Sequence, residues 1–177
     1  DGVQVAVKRY NIKGTWHGMK RALRRTRASV SWQNAHLVRF YGINTPRPIA
    51  FVEKRIGHAR RTSYFISEYV SGPSYREYFA TDASSQKSKT RLANKAAEIL
   101  ATLGRYRLGH GDLKATNLII VDGDPYLIDL DAMRQYKSAA GFVRAHQRDI
   151  RRFLKNWVGE PELHALFREK IVGNRPT

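Results

Sequence analysis

The polar residues between positions 110 and 131 are those whose types and spacing could support chemistry. Asp112, Lys114 and Asn117 place a carboxylate, an ammonium and an amide within six residues, and Asp129 follows twelve residues after Asn117. Transfer of a phosphoryl group needs such a combination, because the phosphate charge must be neutralised while the acceptor oxygen is held in line. The same residues would also suit a polar turn, in which Asp112 and Asn117 bond to local backbone and Lys114 is solvated.

Hydrophobic periodicity predicts the elements that flank this polar segment. A helix is predicted over residues 88–105, and two strands over 117–121 and 126–130 with a turn at 122–124 between them. Three further helices are predicted in the second half of the chain, at residues 75–80, 141–157 and 160–171. The polar segment therefore lies between a long helix and a hairpin.

The first half of the chain is predicted to combine strands with one basic helix. The pattern indicates a strand at residues 3–10, a helix over about 16–38, and strands at 49–53 and 63–70 that enclose a basic turn at 54–61. The sequence Ser-Gly-Pro at 71–73 breaks the chain, so we divide it into residues 1–70 and 71–177. Asp1 and Gly2 are a hairpin signal and no Met precedes them, so we expect an earlier strand and a longer parent chain.

The charge of the chain is large and unevenly distributed. Its 177 residues carry a formal charge of +17, and residues 1–61 contain 14 basic side chains against two acidic ones. Such an excess predicts nucleic acid, an anionic membrane surface or a phosphorylated substrate as partner, unless it only keeps the surface hydrated. The sequence has no cysteine, which excludes disulfides and thiolate metal sites, and no apolar run of transmembrane length.

Residues 110–117 and 127–131 resemble the catalytic and metal-binding loops of protein-kinase-like phosphotransferases. The resemblance implies that Asp112 orients the acceptor hydroxyl and accepts its proton, and that Lys114 neutralises the transferring phosphoryl group. It implies ATP as donor and Mg²⁺ as cofactor, with Asn117 and Asp129 as metal ligands.

Other positions take roles from the same resemblance. Lys8, which ends the apolar run at residues 5–7, would grip the α- and β-phosphates of the nucleotide. The backbone groups of Glu68 and Val70 would form the hinge that binds adenine. Two features depart from the pattern: no glycine-rich loop precedes Lys8, and no acid occurs between Asp1 and Glu53 to pair with it.

The missing acid leaves the partner of Lys8 open. Either Lys8 relies on phosphate and Asp129, or the helix that offers Ser31, Gln33 and Asn34 supplies a different arrangement. A folded but inactive pseudokinase is an alternative interpretation of the same departures.

Three further residues are candidates for supporting roles. Asp131 stands where many kinases have glycine, and it would either bind metal or brace the loop. Asp149 would hydrogen-bond the catalytic-loop backbone or form a surface ion pair with Arg148 or Arg152. His110 is expected to pack and hydrogen-bond locally and not to act as a base.

Four segments, at residues 27–35, 42–48, 111–117 and 126–134, look like those of bacterial lipopolysaccharide core kinases. This resemblance implies an α+β, two-lobed, protein-kinase-like fold with a truncated β-rich N-lobe and a mainly helical C-lobe. It implies transfer of phosphate from ATP to a heptose or Kdo hydroxyl of the lipopolysaccharide inner core, and lipid A-linked oligosaccharide and an anionic membrane surface as partners. The implied location is the cytoplasmic face of the inner membrane of Gram-negative bacteria, with peripheral attachment.

The basic first half would then dock on that membrane, unless its cations are a solvated helix face. The candidate docking residues are Lys13, Lys20, Arg21, Arg24, Arg25 and Arg27. The alternative function is a small kinase or pseudokinase acting in tRNA modification or ribosome assembly. Nucleic acid is the disfavoured partner, because no basic patch interleaved with aromatic residues is evident.

Overall fold

A three-stranded antiparallel sheet and one helix form the first part of the fold. The computed structural model describes residues 2, 4–11, 25–56, 59–81 and 85–174. Strands β1 (Val5–Tyr10), β2 (Pro48–Ile56) and β3 (Ala59–Glu68) pair in the order β1-β3-β2. The register places Lys8 opposite Phe65 and Val5 opposite Glu68, so the start of the edge strand β1 lies beside the end of the central strand β3.

Helix α1 (Arg27–Phe40) packs against this sheet. It begins at Arg27 because the Thr26 hydroxyl accepts a hydrogen bond from the backbone N–H of Ser29 (3.1 Å). The same hydroxyl donates to Glu53 Oε1 (2.8 Å), which ties the start of α1 to β2. The predicted helix over 16–38 is therefore observed from 27 onward, and its residues 16–24 lie outside the described residues.

The predicted basic turn at residues 54–61 is wrong in extent. Strand β2 continues to Ile56 and β3 starts at Ala59, with Arg55 paired opposite Arg60. The Arg55 guanidinium bonds to Glu53 Oε2 (2.5 Å), two positions earlier on the same face of the strand. This neighbouring acid compensates part of the positive charge and permits extended pairing where the sequence suggested a loop.

The second part of the fold is mainly helical. Helices α2 (Tyr75–Ala80), α3 (Gln86–Arg105), α4 (Ala139–Lys155) and α5 (Pro161–Gly173) surround one short hairpin. Helix α3 starts after Ser85, whose hydroxyl accepts from the Ser88 N–H (3.2 Å), and its apolar stripe is buried. The mixture of helices and strands confirms the α+β prediction. Among the described residues, no helix has the length and hydropathy needed to cross a bilayer.

The hairpin consists of β5 (Leu118–Val121) and β6 (Asp124–Leu127). Its turn residues Asp122 and Gly123 both have positive φ (51° and 79°), as the tight turn of a hairpin requires. The strand predicted over 126–130 ends earlier, at Leu127, because Asp129 takes the left-handed conformation (φ 63°, ψ 54°) and a 3₁₀ turn follows at Leu130–Ala132.

Two strands of two residues each, β4 (Leu108–Gly109) and β7 (Arg134–Gln135), were not predicted from the sequence. They pair antiparallel and join the residue before His110 to the residue after Met133. Strands β5 and β6 also pair. The chain between residues 110 and 133 is therefore held by two strand pairs, which bring its two loops close to each other.

An aromatic cluster holds α2, α4 and α5 to each other. The Phe167 ring on α5 stacks on Trp157 (4.8 Å between centroids) and meets Phe153 edge-on and Phe79 at an angle (5.1 Å each). All four rings are buried. Aromatic rings of this size contribute most of the apolar area in such a core.

We expect Phe167→Ala to lower the free energy of unfolding by about 3–5 kcal/mol, because it leaves a ring-sized cavity among three other rings. Denaturant unfolding followed by circular dichroism measures this loss. Val158→Ala is the matched control, because the Val158 side chain is 70% exposed; its loss should stay within about 0.5 kcal/mol. Equal losses in the two variants would contradict the assigned core.

Candidate active site

Two loops meet beside the hairpin, and we call residues 110–117 the first loop and residues 128–133 the second loop. His110 joins them: its side chain is fully buried, Nε2 lies 3.1 Å from the Ile128 carbonyl oxygen, and Nδ1 lies 3.3 Å from the Asp112 backbone N. A neutral imidazole satisfies both contacts, with Nε2–H donating and Nδ1 accepting. Burial lowers the pKa of His110, which favours this neutral form. His110 therefore positions Asp112 relative to the second loop.

The buried carboxylate of Asp149 on α4 holds the backbone of the first loop. Its Oδ2 accepts from the His110 N–H (2.7 Å), and the Gly111 N–H points at both carboxylate oxygens (3.1 and 3.2 Å). Asp149 is only 2% exposed. Of the two alternatives for Asp149, the structure shows the backbone contact and no ion pair with Arg148 or Arg152.

Gly111 allows the two loops to approach closely. Its φ is 84°, and a Cβ built there would lie 2.8 Å from the Ala132 carbonyl oxygen of the second loop. Glycine is the residue that tolerates both the positive φ and this separation.

The carboxylate of Asp112 lies between two cations. Lys114 Nζ is 2.9 Å from Oδ2, and Arg152 Nη1 is 2.9 Å from Oδ1. The Arg152 guanidinium also donates to the Gly111 carbonyl oxygen. The sequence interpretation missed this role of Arg152, although its position three residues after Asp149 on one helix was a usable signal. About a third of the Asp112 side chain is exposed, so a substrate group can reach it.

Asn117 connects the first loop to the second. Its Nδ2 donates to the Asp112 carbonyl oxygen (2.9 Å), and its own backbone oxygen accepts from the Ile128 N–H (3.0 Å). With the amide nitrogen engaged in this way, Oδ1 remains available as an acceptor or ligand.

Asp129 pairs with Lys8 across 121 positions of sequence. The Lys8 ammonium donates to Asp129 Oδ1, which joins β1 to the second loop. Burial raises the pKa of the Asp129 carboxyl, but Lys8, Asp131 and His110 together lower it, and the net pKa lies below its usual value. Burial lowers the pKa of Lys8, but the hydrogen bond to Asp129 and the nearby Tyr10, Asp129 and Asp131 together raise it to a net value above the usual one. Among the described residues, the acid that pairs with Lys8 is therefore Asp129.

Helix α1 holds the second loop from the opposite side. Asn34 Nδ2 donates to the carbonyl oxygens of Leu130 (2.8 Å) and Met133 (3.1 Å). The sequence interpretation considered Asn34 only as a partner for Lys8 and missed this contact. A polar side chain on a helix without acids was the only available signal.

Asp131 is the second contact between α1 and this loop. It forms an ion pair with Arg27, and its side chain is only 5% exposed. Burial and the charge of Asp129 raise the pKa of the Asp131 carboxyl above its usual value, against the opposing effect of Arg27. The Arg27 guanidinium also lies 4.8 Å from the centre of the Tyr10 ring. The ion pair with Arg27 indicates that Asp131 braces the second loop against α1.

The proposed docking cations are in part engaged elsewhere. Arg27 contacts Asp131, and Arg25 Nη1 donates to Gln33 Oε1 (2.7 Å). The other four candidates, Lys13, Lys20, Arg21 and Arg24, lie outside the described residues.

A cleft of about 350 Å³ lies between the sheet and the second loop. Its lining includes five of the predicted site residues, which are Lys8, Glu68, Val70, Asn117 and Asp129. This volume suits a small organic ligand. The other two members of the predicted catalytic set, Asp112 and Lys114, do not line the cleft but adjoin it through the bond from Asn117 to Asp112.

Two residues that line the cleft, Asn117 and Asp129, fit a magnesium ion better than a metal that requires an all-protein cage. The described residues contain no group of three or more His, Cys, Asp or Glu side chains arranged to hold a metal. Magnesium commonly takes one or two protein oxygens and completes its shell with water and substrate phosphate. Asn117 Oδ1 and the Asp129 carboxylate, which both line the cleft, meet that requirement.

Comparison with known proteins identifies a family for this chain. Residues 1–168 match the sequence model described as the lipopolysaccharide kinase (Kdo/WaaP) family. A search of curated proteins gave no match. The family match covers nearly the whole chain and includes every residue of the site described above. The chain therefore belongs to the lipopolysaccharide kinase (Kdo/WaaP) family.

Proposed function

We propose that this protein is an ATP- and magnesium-dependent kinase that phosphorylates a heptose or Kdo hydroxyl of the lipopolysaccharide inner core. The observation that carries the proposal is that Asn117 and Asp129 line one cleft with Lys8, while Asp112 and Lys114 adjoin it through the hydrogen bond from Asn117 to the Asp112 carbonyl oxygen. Membership of a lipopolysaccharide kinase family supports the substrate class. We place the reaction at the cytoplasmic face of the inner membrane of Gram-negative bacteria, where the protein attaches peripherally.

In this proposal the fold is a two-lobed, protein-kinase-like one, with its hinge after β3. Glu68 ends β3, and its N–H donates to the Arg47 carbonyl oxygen (2.9 Å), while the Tyr69 N–H donates to Gln4 (3.1 Å). These bonds fix the chain where it crosses from the sheet to the helical part. The backbone groups of Glu68 and Val70, which line the cleft, would bind adenine.

The residues around Asp112 would perform the proton and charge chemistry. Asp112 would orient the acceptor hydroxyl and accept its proton as the oxygen attacks phosphorus and the bond to the leaving diphosphate breaks. Lys114, held 2.9 Å from Asp112, would neutralise the charge on the phosphoryl group. Arg152 would keep the Asp112 carboxylate in place from the other side.

The residues lining the cleft would bind the donor. Lys8 would move its ammonium between Asp129 and the nucleotide phosphates, and Asn117 and Asp129 would hold the metal. Magnesium supplies positive charge to the phosphates when it is bound. Asp131, paired with Arg27, would hold the second loop in its conformation, and Asp129 would bind the magnesium ion.

The substrate can be tested in cells and with purified protein. Mass spectrometry of lipopolysaccharide from cells that lack the gene should show the loss of one core phosphate, restored by the wild-type gene. The position of the missing phosphate identifies the sugar. An unchanged core phosphate pattern would refute the proposed substrate.

We expect Asp112→Asn to reduce phosphoryl transfer by at least about 10²–10⁴-fold, because the proton acceptor is lost. The affinity for ATP should change little, since Asp112 lies outside the cleft lining. Transfer of labelled phosphate to lipopolysaccharide and calorimetric titration with ATP measure the two quantities. Asp122→Asn is the control, because it makes the same change at an exposed turn.

If Asp112→Asn and Asp122→Asn supported equal core phosphorylation, the enzymatic role of the first loop would be refuted. A binding or scaffolding pseudokinase would then replace the kinase.

We expect Asp129→Asn to abolish the magnesium dependence of ATP binding, because the carboxylate ligand is removed. Asparagine tolerates the left-handed conformation at this position, so the backbone should keep its path. Calorimetric titration with ATP in the presence and in the absence of magnesium measures the effect. Retention of the wild-type difference between the two titrations would show that Asp129 is not the metal ligand.

A further inference from the structure

Four cations form a narrow stripe along the exposed side of α4. They are Arg144, Arg148, Arg151 and Lys155, and each side chain is exposed. At 100° per residue their positions fall within about 60° of the helix circumference, and they span about 16 Å along the axis. The buried residues of α4, which include Asp149 and Phe153, lie on the other side of the helix. We call these four residues the α4 stripe.

The α4 stripe lacks compensating acids. The only acid of α4 is Asp149, which is buried and bonded to the first loop. No member of the stripe forms an ion pair with a residue that the structure describes, although Arg55, Arg76, Lys95 and Lys170 each do so elsewhere on the surface. Like charges three and four positions apart destabilise a helix. The four neighbouring cations therefore lower the stability of α4, so stability does not explain why they lie together.

The α4 stripe borders the first loop. Arg152 follows Arg151 directly and lies between the stripe and the buried side of α4, and its guanidinium contacts Gly111 and Asp112. A surface that bound the stripe would thus lie on the side of α4 next to Arg152, the residue that contacts Asp112.

We propose that the α4 stripe docks the protein on an anionic lipid bilayer, with the first loop turned toward the headgroups. The partner is recognised by charge: a convex row of spaced cations fits a flat, negatively charged layer, whereas a single phosphate group needs donors that converge on it. The apolar side of α4 is buried in the core, so the attachment is electrostatic and not insertional. This places the docking surface in the second half of the chain, apart from the basic residues of the first half.

The chemistry of the stripe favours a bilayer over single-stranded nucleic acid. Its positions carry only Arg and Lys, and no aromatic side chain stands among them to stack on a base. The orientation toward an acceptor rests on the proposed kinase function, but binding to lipid does not require catalysis.

The test compares three purified forms of the 177-residue chain: the wild type, a stripe variant and a charge-matched control. The stripe variant is Arg144→Gln, Arg148→Gln and Arg151→Gln. The control replaces three other exposed cations that have no ion pair in the described structure, as Lys87→Gln, Arg105→Gln and Arg168→Gln. Co-sedimentation is measured with vesicles of phosphatidylcholine alone and of phosphatidylcholine mixed with phosphatidylglycerol, at about 0.1 M salt.

We expect the wild type and the control to bind only the vesicles that contain phosphatidylglycerol. Each basic residue near an anionic surface contributes roughly a fivefold increase in binding, so the stripe variant should bind about a hundredfold more weakly. Its thermal midpoint should equal or exceed that of the wild type, because like charges are removed from α4 and glutamine is a good helix former. That result would separate a docking role from a folding role.

Equal vesicle binding by the stripe variant and the control would overturn the proposal. So would unchanged vesicle binding together with weakened binding of the stripe variant to a mixed-sequence single-stranded RNA. Asp112→Asn should bind vesicles like the wild type. The docking surface is therefore tested even if the chain phosphorylates no lipopolysaccharide.

Discussion

The buried carboxylate of Asp149 is the interaction on which the rest of the site depends. It accepts hydrogen bonds from the backbone N–H groups of His110 and Gly111, and these bonds fix the direction in which the first loop leaves β4. A carboxylate removed from water is costly unless such donors surround it, so the loop and α4 stabilise each other. Once the loop is fixed, the His110 ring can bridge Asp112 and the Ile128 carbonyl, and the two loops acquire one geometry.

Helix α1 carries no glutamate that could pair with the strand lysine Lys8, and it contributes to this site in another way. Lys8 pairs with Asp129 directly, and α1 acts on the second loop through Asn34 and the Arg27–Asp131 ion pair. The sheet, α1 and the second loop are therefore each bonded to the other two beside the cleft. An acidic side chain on α1 is not needed to pair with Lys8 in this arrangement, which agrees with the absence of Asp and Glu from the helix.

The positive charge of the protein has two structural uses that composition could not separate. Some cations, such as Lys8, Arg27 and Arg152, are bonded to the carboxylates of the site and organise it. Others, on the exposed side of α4, have no acidic partner in the described structure and are available to an anionic surface. The same residue types are thus either bonded within the site or left without an acidic partner, according to the acids that the fold brings near them.

The sequence by itself determined most of the helices and strands and the residue types of the candidate site. The apolar periodicity of α3, the Asp-Gly turn of the hairpin and the spacing of Asp112, Lys114 and Asn117 are local patterns, and each depends on residues that are close in the chain. The strand register of β1 and β3 and the pairing of β4 with β7 depend on residues far apart, and the two-residue strands carry no periodicity to detect.

Only the tertiary structure decided which charged groups pair. Lys8 and Asp129 are 121 positions apart, and Arg152 and Asp112 are 40 apart. Any of the 32 basic side chains could in principle have satisfied any nearby acid. The left-handed conformation of Asp129, which ended β6 early, is likewise held by contacts on both sides of the second loop, and no sequence pattern predicts it. Long-range packing selects among many chemically equivalent pairs, because an ion pair is specified by distance and burial and not by residue type.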